Sequence, residues 1–120
     1  MEKTTSSSEV DELLEFSYLY DFYGNLLKEN HRMIFEDYVL NNLSLGEIAA
    51  ERGITRQGVY DIVKRCKKRL KEYEDKLCLV DKFQRTKDKL QQIQEIAGES
   101  QDVEGAQAIS ALAEQIYEMI

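Results

Sequence analysis

A chain of 120 residues has the length of one compact domain. Its 42% of hydrophobic residues can fill one core but not two, and the absence of proline beside only six glycines favours long uninterrupted helices. The net charge of −7 excludes an indiscriminate binder of polyanions, and apolar runs of only a few residues exclude a bilayer span.

Met1 to Ser8 lack the basic start and apolar stretch of a secretory signal. They read as a short disordered tail, taken as residues 1–9, and the protein is expected in the cytoplasm. A helix is expected from 10 to 27, with Ser8 followed by Asp11 as its capping pattern. Val10, Leu13, Leu14, Tyr18 and Phe22 fall at helical spacing, with Tyr20 and Tyr23 as an aromatic edge. Aromatics this dense fit either a stacking surface for bases or a core, and the usual burial of such stripes favours core. A second helix covers Glu29 to Leu40, with Met33, Ile34, Tyr38 and Phe35 as its apolar positions and Asn41-Asn42 at its end.

The next stretch carries the most information. Ser44 with Glu47 three residues later is a capping box, and Leu43 and Ile48 stand at the separation of a hydrophobic staple. A short helix from Leu45 to Arg52 follows. Gly53 then stands where a tight turn needs positive φ. Thr55 is a second N-cap, and a longer helix begins at Arg56 and runs without a breaker towards Leu77, past Cys66 and Leu70. This is helix-turn-helix spacing. Ala49 is small where the second helix crosses, Gly53 makes the turn, and Ile48, Ile54, Val59 and Ile62 fill the space between the helices, with Val63 inward as well. Arg56, Gln57, Tyr60, Asp61 and Lys64 are left outward.

In such motifs the start of the second helix enters the major groove. Arg suits guanine and Gln suits adenine, which makes Arg56 and Gln57 the candidate readers of base edges. Thr55 and Tyr60 stand beside them, and Lys64, Arg65, Lys67, Lys68 and Arg69, continued by Lys71, suit phosphate contacts. The charge distribution agrees. Lys28 to Lys71 holds ten Lys/Arg against six Asp/Glu, whereas the segments before and after it are both acidic. Asp61 on the outward side repels phosphate. A run of charges is otherwise commonly a solvated helix face, and a helical pair of this shape can serve packing alone.

Beyond Leu77, a helix is expected over about Leu79 to Ala97, with Phe83, Leu90, Ile93 and Ala97 in one stripe. Gly98 to Asp102 form a loop. A last helix over about Val103 to Ile120 carries Ile109, Leu112, Ala113, Ile116 and Ile120 on one side. The expected fold is all-α: a helix-turn-helix domain over 10–77, without a wing, followed over 78–120 by a C-terminal helical hairpin or dimerisation helices of the same compact domain. The two stripes can pack on each other across the loop, yet they also leave apolar surface that suggests a homodimer.

Cys66 and Cys78, twelve residues apart with His31 as the one histidine, do not make up the close-spaced ligand pairs of a zinc site. They read as reduced thiols on or near helix faces. No cofactor and no metal are expected. His31 has no Cys or Ser nucleophile near it in sequence and there is no glycine-rich phosphate loop, so catalysis is not expected and His31 reads as structural.

Together, Tyr23-Gly24-Asn25-Leu26-Leu27, Leu43-Ser44-Leu45-Gly46-Glu47-Ile48-Ala49, Thr55 to Arg65 and Tyr73-Glu74-Asp75-Lys76-Leu77 resemble the YlxM family of small bacterial proteins over roughly residues 10 to 97. The helix-turn-helix segment is also similar to the promoter-reading fourth region of sigma-70 factors, without the promoter-melting region of a complete one. The resemblance implies a helix-turn-helix regulator that acts in the signal recognition particle pathway. Two departures stand out: Gly58 where the family usually carries Ala, and Lys28 where it often carries Thr. The partner is expected to be DNA. The alternative is an interaction protein that binds a protein or RNA component of the signal recognition particle without reading DNA sequence.

Overall fold

The computed structural model describes residues 7–120, and within them every regular element is helical. Six α-helices follow one another: α1 Ser7–Tyr23, α2 Glu29–Val39, α3 Leu45–Arg52, α4 Arg56–Leu77, α5 Leu79–Gly98 and α6 Val103–Met119. A 3-10 turn, Gly24–Leu26, joins α1 to α2. Of the tail expected over 1–9, residues 1–6 lie outside the described residues and Ser7 to Glu9 form the first turn of α1. Ser8 is therefore inside the helix and not its cap. The chain divides into two compact units, Met1–Cys78 and Leu79–Ile120.

In the first unit, α4 is the element on which the others pack. Its buried row Val59, Val63, Cys66 and Leu70 repeats at three- and four-residue steps, one side of a 3.6-residue helix. Phe16, Leu19 and Tyr23 from α1, Ile34 and Phe35 from α2 and Ile48 and Ala49 from α3 complete the core. The Phe16 and Phe35 rings meet edge to face, with centroids 6.2 Å apart and planes at 83°. The buried Tyr23 and the part-buried Tyr20 keep their hydroxyls bonded: Tyr20 donates to Glu36 at 2.9 Å and Tyr23 to Glu74 at 2.5 Å. Burial and the neighbouring Glu36 carboxylate push the Tyr20 hydroxyl above its ordinary pKa.

Of the dense aromatics of α1, Phe16 and Tyr23 are buried, Tyr18 and Tyr20 are part-buried and Phe22 is exposed, so the phase differs from the spacing expected. Val10, Leu14 and Phe22 are exposed, and Phe16, Leu19 and Tyr23 face inward. Apolar residues lie nearly all round α1, so periodicity did not single out a face; the Tyr23 hydroxyl reaching Glu74 on α4 fixes it. In α2, Met33 is exposed and Phe35 takes the buried position beside Ile34.

The second unit is a pair of helices, α5 and α6, joined by residues 99–102. Asp102 caps α6 by accepting from the Gly105 N–H at 3.1 Å. Val80, Leu90, Ala97 and Ala113 are buried in it. Most of the two expected stripes is not: Ile93, Ile109, Leu112, Ile116 and Ile120 are all exposed.

Candidate nucleic-acid interface

The local chemistry of residues 43–58 forms the motif. Ser44 Oγ accepts from the Glu47 N–H and Glu47 Oε1 accepts from the Ser44 N–H, both at 3.1 Å, which closes the capping box. The Ser44 backbone N–H, and after it the Ser44 hydroxyl, hold the Glu47 carboxyl below its ordinary pKa. Gly53 ends α3 at φ 67° and ψ 32°, left-handed backbone that favours glycine. The following N–H, of Ile54, donates to the Ala49 carbonyl at 3.2 Å, the six-to-one bond of a glycine-ended helix. Thr55 Oγ1 then accepts from the Gly58 N–H at 3.0 Å and opens α4. An Arg52–Asp37 ion pair at 2.8 Å ties the end of α3 to α2.

Inside the turn, Ile34, Ile48, Ala49, Val59 and Val63 form one buried cluster, with Tyr38, Leu43, Leu45 and Ile62 packed against it. Ile54, expected in this core, is 39% exposed. It sits in the turn itself, between Gly53 and the Thr55 cap, outside both helices.

The candidate readers are where the spacing put them. Arg56, Gln57, Tyr60, Asp61, Lys64 and Lys68 are all exposed on α4. At 3.6 residues per turn, Gln57, Tyr60, Lys64, Lys68 and Lys71 share one side of the helix, with Arg56 at its margin. The Gln57 side-chain amide donates to Asp61 Oδ1 at 3.0 Å, so the one acid on this side is partly occupied within the helix. Thr55 spends its oxygen as an acceptor on the cap and keeps a hydroxyl proton to donate.

Three members of the basic run are elsewhere. Lys67 is half-buried: it pairs with Glu12 at 2.7 Å and lies over the rings of Phe16 and Tyr38, each 5.3 Å away. That hydrogen bond and charge hold the Glu12 carboxyl below its ordinary pKa. Arg65 and Arg69 point to the opposite flank of α4. There they line a cavity of about 160 Å³ with Lys28, His31 and Tyr73. Sequence reasoning treated the run as one surface and left Lys28 and His31 out. The available signal was a pair of i, i+4 arginines on α4 and a basic pair, Lys28 and His31, opening α2.

The fold also brings Cys66 beside His31, a nearness the sequence did not reveal. The contact is with the histidine's main chain: the thiol donates to the His31 carbonyl at 3.8 Å. Burial pushes the Cys66 thiol up to about 11, opposite to what an activated nucleophile needs. Burial and the charges of Lys28 and Arg65 push the His31 imidazole below its ordinary pKa. Among the described residues no three His, Cys, Asp or Glu come together to hold a metal ion, and no helix is long and apolar enough to cross a membrane.

Comparison with known proteins gives a consistent picture. The family described as UPF0122, "Putative helix-turn-helix protein, YlxM / p13 like", matches residues 10–109. The UPF0122 protein of Halalkalibacterium halodurans is 46% identical over 86 residues, 72% of this chain and 79% of its own. That of Caldanaerobacter subterraneus subsp. tengcongensis is 51% identical over 85 residues, 71% of this chain and 73% of its own. That of Thermoanaerobacter sp. is 42% identical over 113 residues, 91% of this chain and 97% of its own. No solved structure matches.

Proposed function

Because the chain belongs to the UPF0122 family of YlxM / p13-like helix-turn-helix proteins, we propose that it is a cytoplasmic regulatory protein that binds double-stranded DNA through the start of α4. One observation carries the reading. Immediately after the glycine turn, α4 presents Arg56, Gln57, Tyr60, Lys64 and Lys68 on an exposed side. Among the described residues none of Arg56, Lys64 and Lys68 has an ion pair.

Docked by the start of α4, the motif brings Arg56 and Gln57 to base edges. Gln57 keeps its carbonyl and one N–H for that purpose while its other N–H holds Asp61. Thr55 and Tyr60 offer hydroxyl donors, and Lys64 and Lys68 lie further along for phosphates. The reading is one of binding, not catalysis: burial keeps the Cys66 thiol protonated, and its contact is with the His31 main-chain carbonyl, not the imidazole. The signal recognition particle pathway is the setting that the resemblance to YlxM proteins implies, and two copies are taken to act together through the C-terminal helices.

A second reading is favoured by Asp61 on the outward side and by the net charge of −7. In it the same helices bind a protein or structured RNA of the signal recognition particle. Binding to duplex DNA separates the two. Arg56→Ala is expected to weaken the best selected site by about 1–3 kcal/mol while leaving the fold intact, and affinity for random duplex is expected to fall steeply with salt. Unchanged affinity of the variant removes Arg56 as a reader, and duplex binding that salt does not weaken favours the protein partner.

A further inference from the structure

On the flank of α4 next to the reading side, we propose a phosphate-binding site. It is held by the guanidinium groups of Arg65 and Arg69 and completed by Lys28 and His31. The four residues come from two stretches of chain, the turn into α2 and the middle of α4, and converge on one cavity of about 160 Å³. No carboxylate lines it. Among the described residues Lys28, Arg65 and Arg69 make no ion pair, in a chain whose acids outnumber its Lys and Arg by 23 to 16.

A cluster of like charges left without a counter-ion opposes folding, and an anion in the cavity removes that opposition. Arg65 and Arg69 are four residues apart, so both side chains leave α4 on the same side and suit the charged oxygens of one phosphate. The buried, protonated Cys66 thiol forms a neutral floor, bonded to the His31 carbonyl. Leu26, Leu27 and Tyr73 add apolar wall on which the carrier of the phosphate can rest. That carrier is either a nucleic-acid backbone or a free phosphorylated molecule. None of Arg56, Gln57, Tyr60, Lys64 and Lys68 lines this cavity, so the site and the reading of duplex can be tested separately, and either can fail without the other.

The test is a titration of the full chain with inorganic phosphate, at constant ionic strength in chloride, followed by nuclear magnetic resonance. Saturable shifts confined to Lys28, His31, Arg65 and Arg69 are expected at millimolar phosphate. The double variant Arg65→Gln, Arg69→Gln is expected to weaken binding by about ten-fold or more. The single variant Lys28→Gln, at an exposed position, gives an independent loss should the double variant lose structure. The same titration with a nucleoside monophosphate and with a short single-stranded oligonucleotide lacking terminal phosphates tells the sources apart. Tighter binding of the oligonucleotide assigns the site to a backbone phosphate, and tighter binding of the mononucleotide assigns it to a free ligand. If phosphate, mononucleotide and oligonucleotide all fail to saturate these residues, or the variants bind as the parent does, the proposal is overturned.

Discussion

Lys67 and Lys68 are neighbours of the same type with opposite duties. Lys68 is exposed on the reading side of α4. One residue earlier, Lys67 turns over the edge of the helix, pairs with Glu12 at 2.7 Å and covers Phe16 and Tyr38. Its stem and charge therefore belong to the packing of α1 against α4. Lys67→Ala is expected to cost about 1 kcal/mol of stability, the sum of a part-exposed ion pair and a cation–π contact. Lys68→Ala is expected to change stability by less than about 0.5 kcal/mol and to act on duplex binding instead. Urea unfolding at neutral pH separates the two. The ion-pair part also has a pH signature. Glu12 sits below its ordinary pKa in the fold, so the unfolded chain holds its proton more tightly. The stabilisation is complete above the unfolded carboxylate pKa and is lost as pH falls through the folded one. The gap between parent and Lys67→Ala should shrink in acid, and a gap that does not shrink leaves only the ring contacts.

At the scale of elements, the stretch from Leu43 to Arg56 was legible because each signal in it is local. A capping box, a glycine at positive φ and a threonine cap act within five residues, and their bonds appear at 3.0–3.2 Å. Core phase was less legible in α1 and α6. Where apolar residues surround a helix, the buried side is chosen by partners distant in sequence, such as Glu74 for Tyr23. The cavity between the start of α2 and α4 was not legible for the same reason, because it needs residues from 28 to 69 brought together. Ala49 tests the legible part. It is buried where α3 crosses α4, whereas Ala50 beside it is exposed. Ala49→Leu forces three more carbons into that contact and is expected to cost about 1–3 kcal/mol. Ala50→Leu is expected to be close to neutral. Equal thermal melting of the two variants sinks the close-crossing account of the motif.

Among the described residues, α4 carries the densest run of basic residues without an ion pair, and the shorter second unit exposes as many large apolar residues as the longer first one. In that hairpin one side is finished with polar contacts. Gln94 donates to Glu114 at 3.3 Å, and Lys87 lies over Phe83 and Tyr117, 5.1 and 5.5 Å from their centroids. On antiparallel helices this places Ile93 and Ile96 of α5 on the same opposite side as Ile109, Leu112, Ile116 and Ile120 of α6. All six are exposed, Leu112 by 59% and Ile96 by 70%. Contiguous apolar surface of this kind is uncommon on monomers. Two hairpins laid face to face would cover it as a four-helix bundle, the usual way such amphipathic pairs are satisfied. A second copy also suits the proposed activity, because one reading helix spans only a few base pairs and paired half-sites add their affinities. Leu112→Lys with Ile116→Lys puts two charges in the middle of that side without touching the buried Ala113. Sedimentation at tens of micromolar, roughly where weak dimers appear, should give a dimer for the parent and a monomer for the variant. Duplex affinity should fall with dimerisation while helix content stays. A parent that is monomeric over that range, or a variant that still dimerises, places the apolar side of the hairpin outside any contact between copies.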